Sequence, residues 1–138
     1  MECSFRYTRN NNLGIIELAG EKDFRQVMQI WERIRQFIRN DGLDGIIIVD
    51  RMTNALTEHH MFELGKWLGS SQFPRGVKVA IVDPGKMSQG NMNAFGETVL
   101  LNRGFYNIRV FPDHETAGTW LGIKRQAQTD SQKGVGLP

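Results

Sequence analysis

The run Gly45-Ile-Ile-Ile-Val-Asp50 constrains the fold more than any other stretch of this chain. Four β-branched residues in a row, with no polar residue between them, cannot alternate between a core and water. Such a strand is buried on both faces, which is the situation of an interior strand in a parallel sheet with other elements packed above and below. A second run of the same kind, Val77-Lys-Val-Ala-Ile-Val-Asp83, and a shorter one, Asn107-Ile-Arg-Val-Phe111, follow it. Between and around them the apolar period changes from near-continuous to helical. Strands alternating with helices predict right-handed β-α-β crossovers and a mostly parallel sheet.

The last of these units is complete in sequence. Pro112 has no N–H to continue a ladder, Asp113 is placed to cap a helix, and Ala117, Trp120 and Leu121 form an i, i+3, i+4 apolar stripe. At the other end, two alternating stretches around Phe5 and Ile15 flank Asn10-Asn11-Asn12 and predict an antiparallel hairpin at the sheet edge. A long helix follows, with Phe24, Val27, Met28, Trp31, Ile34 and Ile38 on one stripe and Gly42 available for a left-handed cap. A second helix begins near Thr57 and buries Met61, Leu64 and Leu68. A third spans about residues 91–101 and buries Met92, Phe95 and Val99. Residues 1–123 are expected to make one domain. Residues 124–138, polar and punctuated by Gly and Pro, are expected to be a disordered tail.

Composition narrows the function classes. A formal net charge of +2, from 17 basic and 15 acidic residues without a block of like charge, gives no footprint for nucleic acid. Cys3 is the sole cysteine, which excludes an internal disulfide and a multi-cysteine zinc site. The first residues carry Glu2, Arg6 and Arg9 and no apolar h-region, and no apolar run is long enough to cross a bilayer. A cytoplasmic protein without stable membrane insertion is the expectation, and no motif calls for a cofactor.

Taken together, the edge hairpin, the Ala19-Gly20 turn into a helix, the two long strands ending in Asp50 and Asp83, and the closing Ile108-Arg-Val-Phe-Pro-Asp113 with Trp120-Leu121 resemble the SpoIIAA-like (STAS-type) proteins, above all their bacterial branch with no assigned activity. The resemblance covers roughly residues 4–122 and includes no catalytic motif. It implies an α/β fold, a SpoIIAA-like β-α superhelix on a four- to five-stranded sheet with helices mainly on one side. It also implies a non-enzymatic switch that binds a partner protein. In that family a serine within Asp-Ser-Ser-Gly, at the start of the second helix, is phosphorylated. This chain reads Asp50-Arg-Met-Thr53 there, without the serines or the glycine, so the phosphoswitch does not carry over; Thr53 and Thr57 are the nearest hydroxyls.

In parallel sheets ligands favour the carboxyl ends of the strands. Asp50, Arg51, Thr53, Asp83, Lys86 and Ser88 are therefore the candidate ligand-binding residues, with Arg51 and Lys86 suited to an anionic head group and Phe62, Trp67 and Phe95 to an apolar tail. Thr57, Phe62 and Trp67 on the second helix are the candidate partner-binding residues; the partner is an unknown protein or a second copy of the chain.

Other patterns reduce to ordinary structure. His59 and Glu63 share a helical face but lack a third metal ligand and the His-Glu-x-x-His order. Pro84-Gly85-Lys86-Met87 lacks the first glycine and the Ser or Thr of a phosphate loop. Ser88, His114 and Asp50 supply the inventory of a hydrolytic triad without a nucleophile elbow. Trp31 and Trp120 fall in core stripes, whereas Trp67 falls off its stripe.

Overall fold

The computed structural model describes residues 4–85 and 90–123. The candidates Lys86 and Ser88 and the tail from residue 124 lie outside the described residues. Strand β1 (Ser4–Asn10) pairs antiparallel with β2 (Leu13–Glu21), and β2, β3 (Gly45–Thr53), β4 (Lys78–Val82) and β5 (Ile108–Phe111) follow in parallel, giving the order β1-β2-β3-β4-β5. Ile47 lies opposite Ala80, and Ile81 opposite Val110, so the apolar runs are neighbours in one sheet. Asn11, at φ 55°, turns β1 into β2 in the left-handed region that asparagine tolerates.

Helices α1 (Phe24–Asp41), α2 (Glu58–Ser70) and α3 (Met92–Asn102) contribute to one large core with the even-numbered residues of β3, Ile46 and Ile48. Helix α4 (His114–Leu121) covers the other face, where Ala117, Trp120 and Leu121 meet Ile47, Val49, Ala80 and Val82. This is why β3 needs an unbroken apolar run: residues on both its faces are covered. Each helix starts on a side-chain cap: Asp23, Thr57, Asn91 and Asp113 accept from backbone N–H groups of the first turn. Gly42, at φ 62°, ends α1 in the left-handed conformation its lack of a Cβ permits.

Two sequence expectations are refined. Strand β3 runs on to Thr53, three residues past Asp50, because Leu18 to Glu21 of β2 continue to pair with it. Met28, Met92 and Phe95 reach the core but are only partly buried.

Candidate functional site

Asp50 and Asp83 end their apolar runs on the same face of the sheet, because Ile48 and Asp50, and Ile81 and Asp83, are two apart on adjacent strands. The first turn of α3 fits between them. Asn93 Nδ2 donates to Asp50 Oδ2 at 2.8 Å and to Asp83 Oδ2 at 3.0 Å. Asn91, the α3 cap, donates to Asp83 Oδ2 at 3.0 Å, and the Gly85 N–H to Asp83 Oδ1 at 2.9 Å. From the other side Lys22, just beyond the end of β2, places Nζ 3.1 Å from Asp50 Oδ2, and the Met52 N–H donates to Oδ1 at 3.0 Å. The Lys22 and Asp50 side chains are 8% and 7% exposed, so this is a buried ion pair.

The two acids are held differently. Burial works to raise the Asp83 pKa, but the hydrogen bonds from Asn91, Asn93 and Gly85, with the Lys22 charge, outweigh it and hold the carboxyl below its usual range. Asp50 receives a full charge from Lys22 and three hydrogen bonds in all, which satisfies a carboxylate that water no longer reaches.

This polar cluster forms one end of a cavity of about 70 Å³ between the sheet and helices α1 to α3. The rest of the lining is apolar, with Leu18, Ile48, Trp31, Met61, Leu64 and Val110 among it; Lys22, Asp50, Asn93 and Glu97 are its polar members. Glu97, 10% exposed, accepts from Val110 N at 2.7 Å and Arg109 Nε at 3.1 Å.

The remaining candidates disperse. Arg51 projects from the opposite face to Asp50, as adjacent residues of a strand must, and lies 3.9 Å from Glu17 in an exposed pair. Thr53 Oγ1 donates to the Gly20 carbonyl at 3.3 Å and ties the ends of β2 and β3 together. Thr57 Oγ1 accepts from His60 N at 3.1 Å, while His60 Nδ1 accepts from Thr57 N at 3.5 Å and its ring stacks on Phe24 at 4.4 Å. On α2, Phe62 is 47% exposed and meets Phe95 edge-on at 5.6 Å. Trp67 is half-buried beside Met28, Arg25 and Arg33 in a shallow groove between α1 and α2. His114 starts the helix of the opposite layer from Asp50, so the triad inventory does not assemble through that pair. Among the described residues no three His, Cys, Asp or Glu side chains group as metal ligands.

Sequence reasoning missed Lys22, Asn93 and Glu97. Lys22 was legible in principle: it follows β2 directly, and recognising β2 as a parallel neighbour of β3 adds its carboxyl end to the rim. Asn93 and Glu97 carried no such signal, since a polar residue on a short helix has many possible neighbours.

No protein-family model matches the sequence, and no curated protein matches it. Among solved structures, the crystal structure of an anti-sigma factor antagonist from Mycobacterium paratuberculosis is similar, with a TM-score of 0.57 and 12% sequence identity over 88% of this chain and 95% of that one. The likeness is one of fold. The five-stranded sheet with its antiparallel β1-β2 pair and four helices is the STAS-like, or SpoIIAA-like, architecture. Among the described residues no helix is long and apolar enough to cross a membrane.

Proposed function

We propose that the protein is a non-enzymatic regulatory module of the SpoIIAA-like (STAS-type) family, within its bacterial branch of unassigned activity. It acts in the cytoplasm by binding a partner protein through the outer face of α2. The observation that carries this reading is Phe62. Phe62, 47% exposed and edge-on to Phe95, leaves apolar surface on α2 that no described element covers, while half-buried Trp67, five residues on, borders the groove toward α1. The fold shared with a protein described as an anti-sigma factor antagonist supports a binding rather than a chemical role.

The module works without the family's phosphorylatable serine. Thr53 and Thr57 take the nearest positions, and both hydroxyls are engaged, one in tying β3 to β2 and one in capping α2.

The test is recovery of a stoichiometric protein partner from the native cell. Phe62→Ser is expected to abolish that recovery while leaving the melting temperature of the exposed site's variant close to that of the parent. Retention of the partner at full stoichiometry by both Phe62→Ser and Trp67→Ala would remove α2 as the docking face. Mass spectrometry of the same material is expected to find Thr53 and Thr57 unmodified.

A further inference from the structure

The cavity beneath α1 to α3 has a composition that packing alone does not require. An apolar chamber of about 70 Å³ ends in a buried lysine, two carboxylates and an amide. Cores of this kind are normally filled to the density of an organic crystal, and a space this size stays only where side chains around it are held by other constraints. Here the polar cluster supplies them. Asp50 and Asp83 are pinned by Asn91, Asn93 and backbone N–H groups, which fixes the first turn of α3 against the sheet. Gly96 on α3 holds Met61 of α2 close: a Cβ there would come 3.2 Å from Met61 Sδ.

The polar end is also incomplete in one respect. The Lys22 ammonium carries three N–H donors, and among the described residues one carboxylate oxygen, Asp50 Oδ2, accepts from it. Lys22 lines the chamber, as well as the open groove beside Phe24 and His60, and its side chain is 8% exposed, so an acceptor oxygen inside the chamber would meet an ammonium that little water reaches. The chemistry that fits is an acceptor oxygen. Charge decides which kind. Lys22 is already neutralised by Asp50, and Arg109 by Glu97, while Asp83 adds a further carboxylate. Among the described residues an anion would be a buried charge without a counter-ion, next to a cluster with more carboxylates than cations. A cation would displace or repel Lys22.

We infer that this cavity is a binding site for a small neutral molecule: an aliphatic group of a few carbons bearing a hydroxyl or carbonyl oxygen. The aliphatic part lies against Ile48, Leu64 and Met61, and the oxygen accepts from Lys22. The volume sets the size, since a cavity of about 150 Å³ accommodates benzene and this one is roughly half that. The inference is independent of the partner-binding role proposed for the outer face of α2.

The probes are 1-propanol and acetone, with propylamine, also of four heavy atoms, and propionate, of five, as charged counterparts. Each is titrated into the full chain while the methyl resonances of Met61, Leu64 and Ile48 are followed by NMR. Expected are saturable shifts at those methyls for the two neutral probes, with dissociation constants on the order of millimolar, as befits ligands of four heavy atoms. The charged probes are expected to bind about tenfold more weakly or not at all. Leu64→Phe, which fills the chamber, is expected to abolish the shifts. Should that variant fail to fold, Val27→Ile, which adds one methylene to the lining, is expected to weaken binding several-fold. Lys22→Met is expected to weaken both neutral probes and to remove the preference for them over a hydrocarbon. Shifts that stay linear in concentration, shifts spread evenly over the surface, or equal binding of propionate and propanol would each overturn the assignment. Phe62→Ser leaves these titrations unchanged, so failure of the partner reading and failure of this one are told apart.

Discussion

Two polar pairs join residues far apart along the chain: Lys22 with Asp50, and Tyr7 with Asp41. Lys22 and Asp50 are both about nine-tenths buried, so their pairing matters less for its attraction than for what each leaves behind when the other is removed. Lys22→Met is expected to cost about 3 kcal/mol in urea unfolding, because Asp50 is stranded, while Lys22→Met with Asp50→Leu is expected to recover most of that loss. Equal costs for the single and double variants would show that the pair does not matter to stability as a unit. Tyr7 donates from its hydroxyl to Asp41 at 2.7 Å and stacks on Phe37 at 3.9 Å. Burial first, then the Asp41 hydrogen bond and charge, push its pKa from 10.0 to about 12. A raised pKa means that the folded state holds the proton more tightly. Its contribution is therefore complete below the unfolded value and is lost as pH rises through the window from 10 to about 12. Stability is expected to fall across that window by denaturant titration, and the fall attributable to Tyr7 is expected to vanish in Tyr7→Phe. A Tyr7→Phe curve that superimposes on the parent above pH 10 would remove the assignment. Neither interaction was legible in the sequence. Lys22 and Asp50 are 28 residues apart and Tyr7 and Asp41 are 34 apart, and nothing in local spacing announces a partner at that distance.

At the scale of elements the sequence was far more informative, because strands and helices answer to local rules. The unbroken run at residues 45–50 required cover on both faces, and α1 to α3 on one side with α4 on the other supply it. Caps were readable for the same reason: Thr57, Gly42 and Asp113 act within a turn of their own position. What local pattern hid was the reach of β3. Arg51 reads as a loop residue at a strand end, but pairing with β2 continues the strand through it and sends it to the opposite face from Asp50. Strand β5 shows a second consequence of pairing. It is the last strand of the sheet, so alternate N–H groups face outward, and α3 answers one of them: Glu97 accepts from Val110 N at 2.7 Å. An edge left open is a template for another chain, and this contact closes it. Glu97→Ala leaves a buried donor unsatisfied and is expected to cost about 1–3 kcal/mol. Hydrogen exchange of the Val110 amide is expected to accelerate strongly, with Glu97→Gln, which keeps an acceptor, restoring much of the protection. Unchanged exchange at Val110 in Glu97→Ala would mean that the carboxylate does not guard the edge.

The whole molecule is asymmetric about its sheet, and the asymmetry sets where it opens. One face carries three helices and a core that includes Trp31, Ile34, Leu68 and Phe105; the other carries the short helix α4, whose Ala117 joins four buried sheet residues, Ile47, Val49, Ala80 and Val82. Helix α4 is eight residues long, below the length at which a helix stands by itself, so its order comes from docking. Ala117, fully buried, and the half-buried Trp120 and Leu121 provide the apolar contact, with Trp120 packed against Phe111 at 5.3 Å. Lys78 Nζ adds a hydrogen bond to the Trp120 carbonyl at 2.8 Å. Regions with few buried contacts unfold below the global free energy, whereas central strands exchange only when everything unfolds. Native-state hydrogen exchange is therefore expected to show the amides of α4 opening well before those of β3. Trp120→Ala is expected to cost roughly 2 kcal/mol, confined to that layer: α4 amides lose protection while Ile46 and Ile48, facing the larger core, exchange with only a modest change. The cavity and the polar cluster lie on the other side of the sheet, so the same variant is expected to leave the Met61 and Leu64 methyl resonances in place. A uniform loss of protection across α4, β3 and α2 in Trp120→Ala would mean that the two layers unfold as one, and that the sheet does not separate the face that holds the chamber from the face that α4 closes.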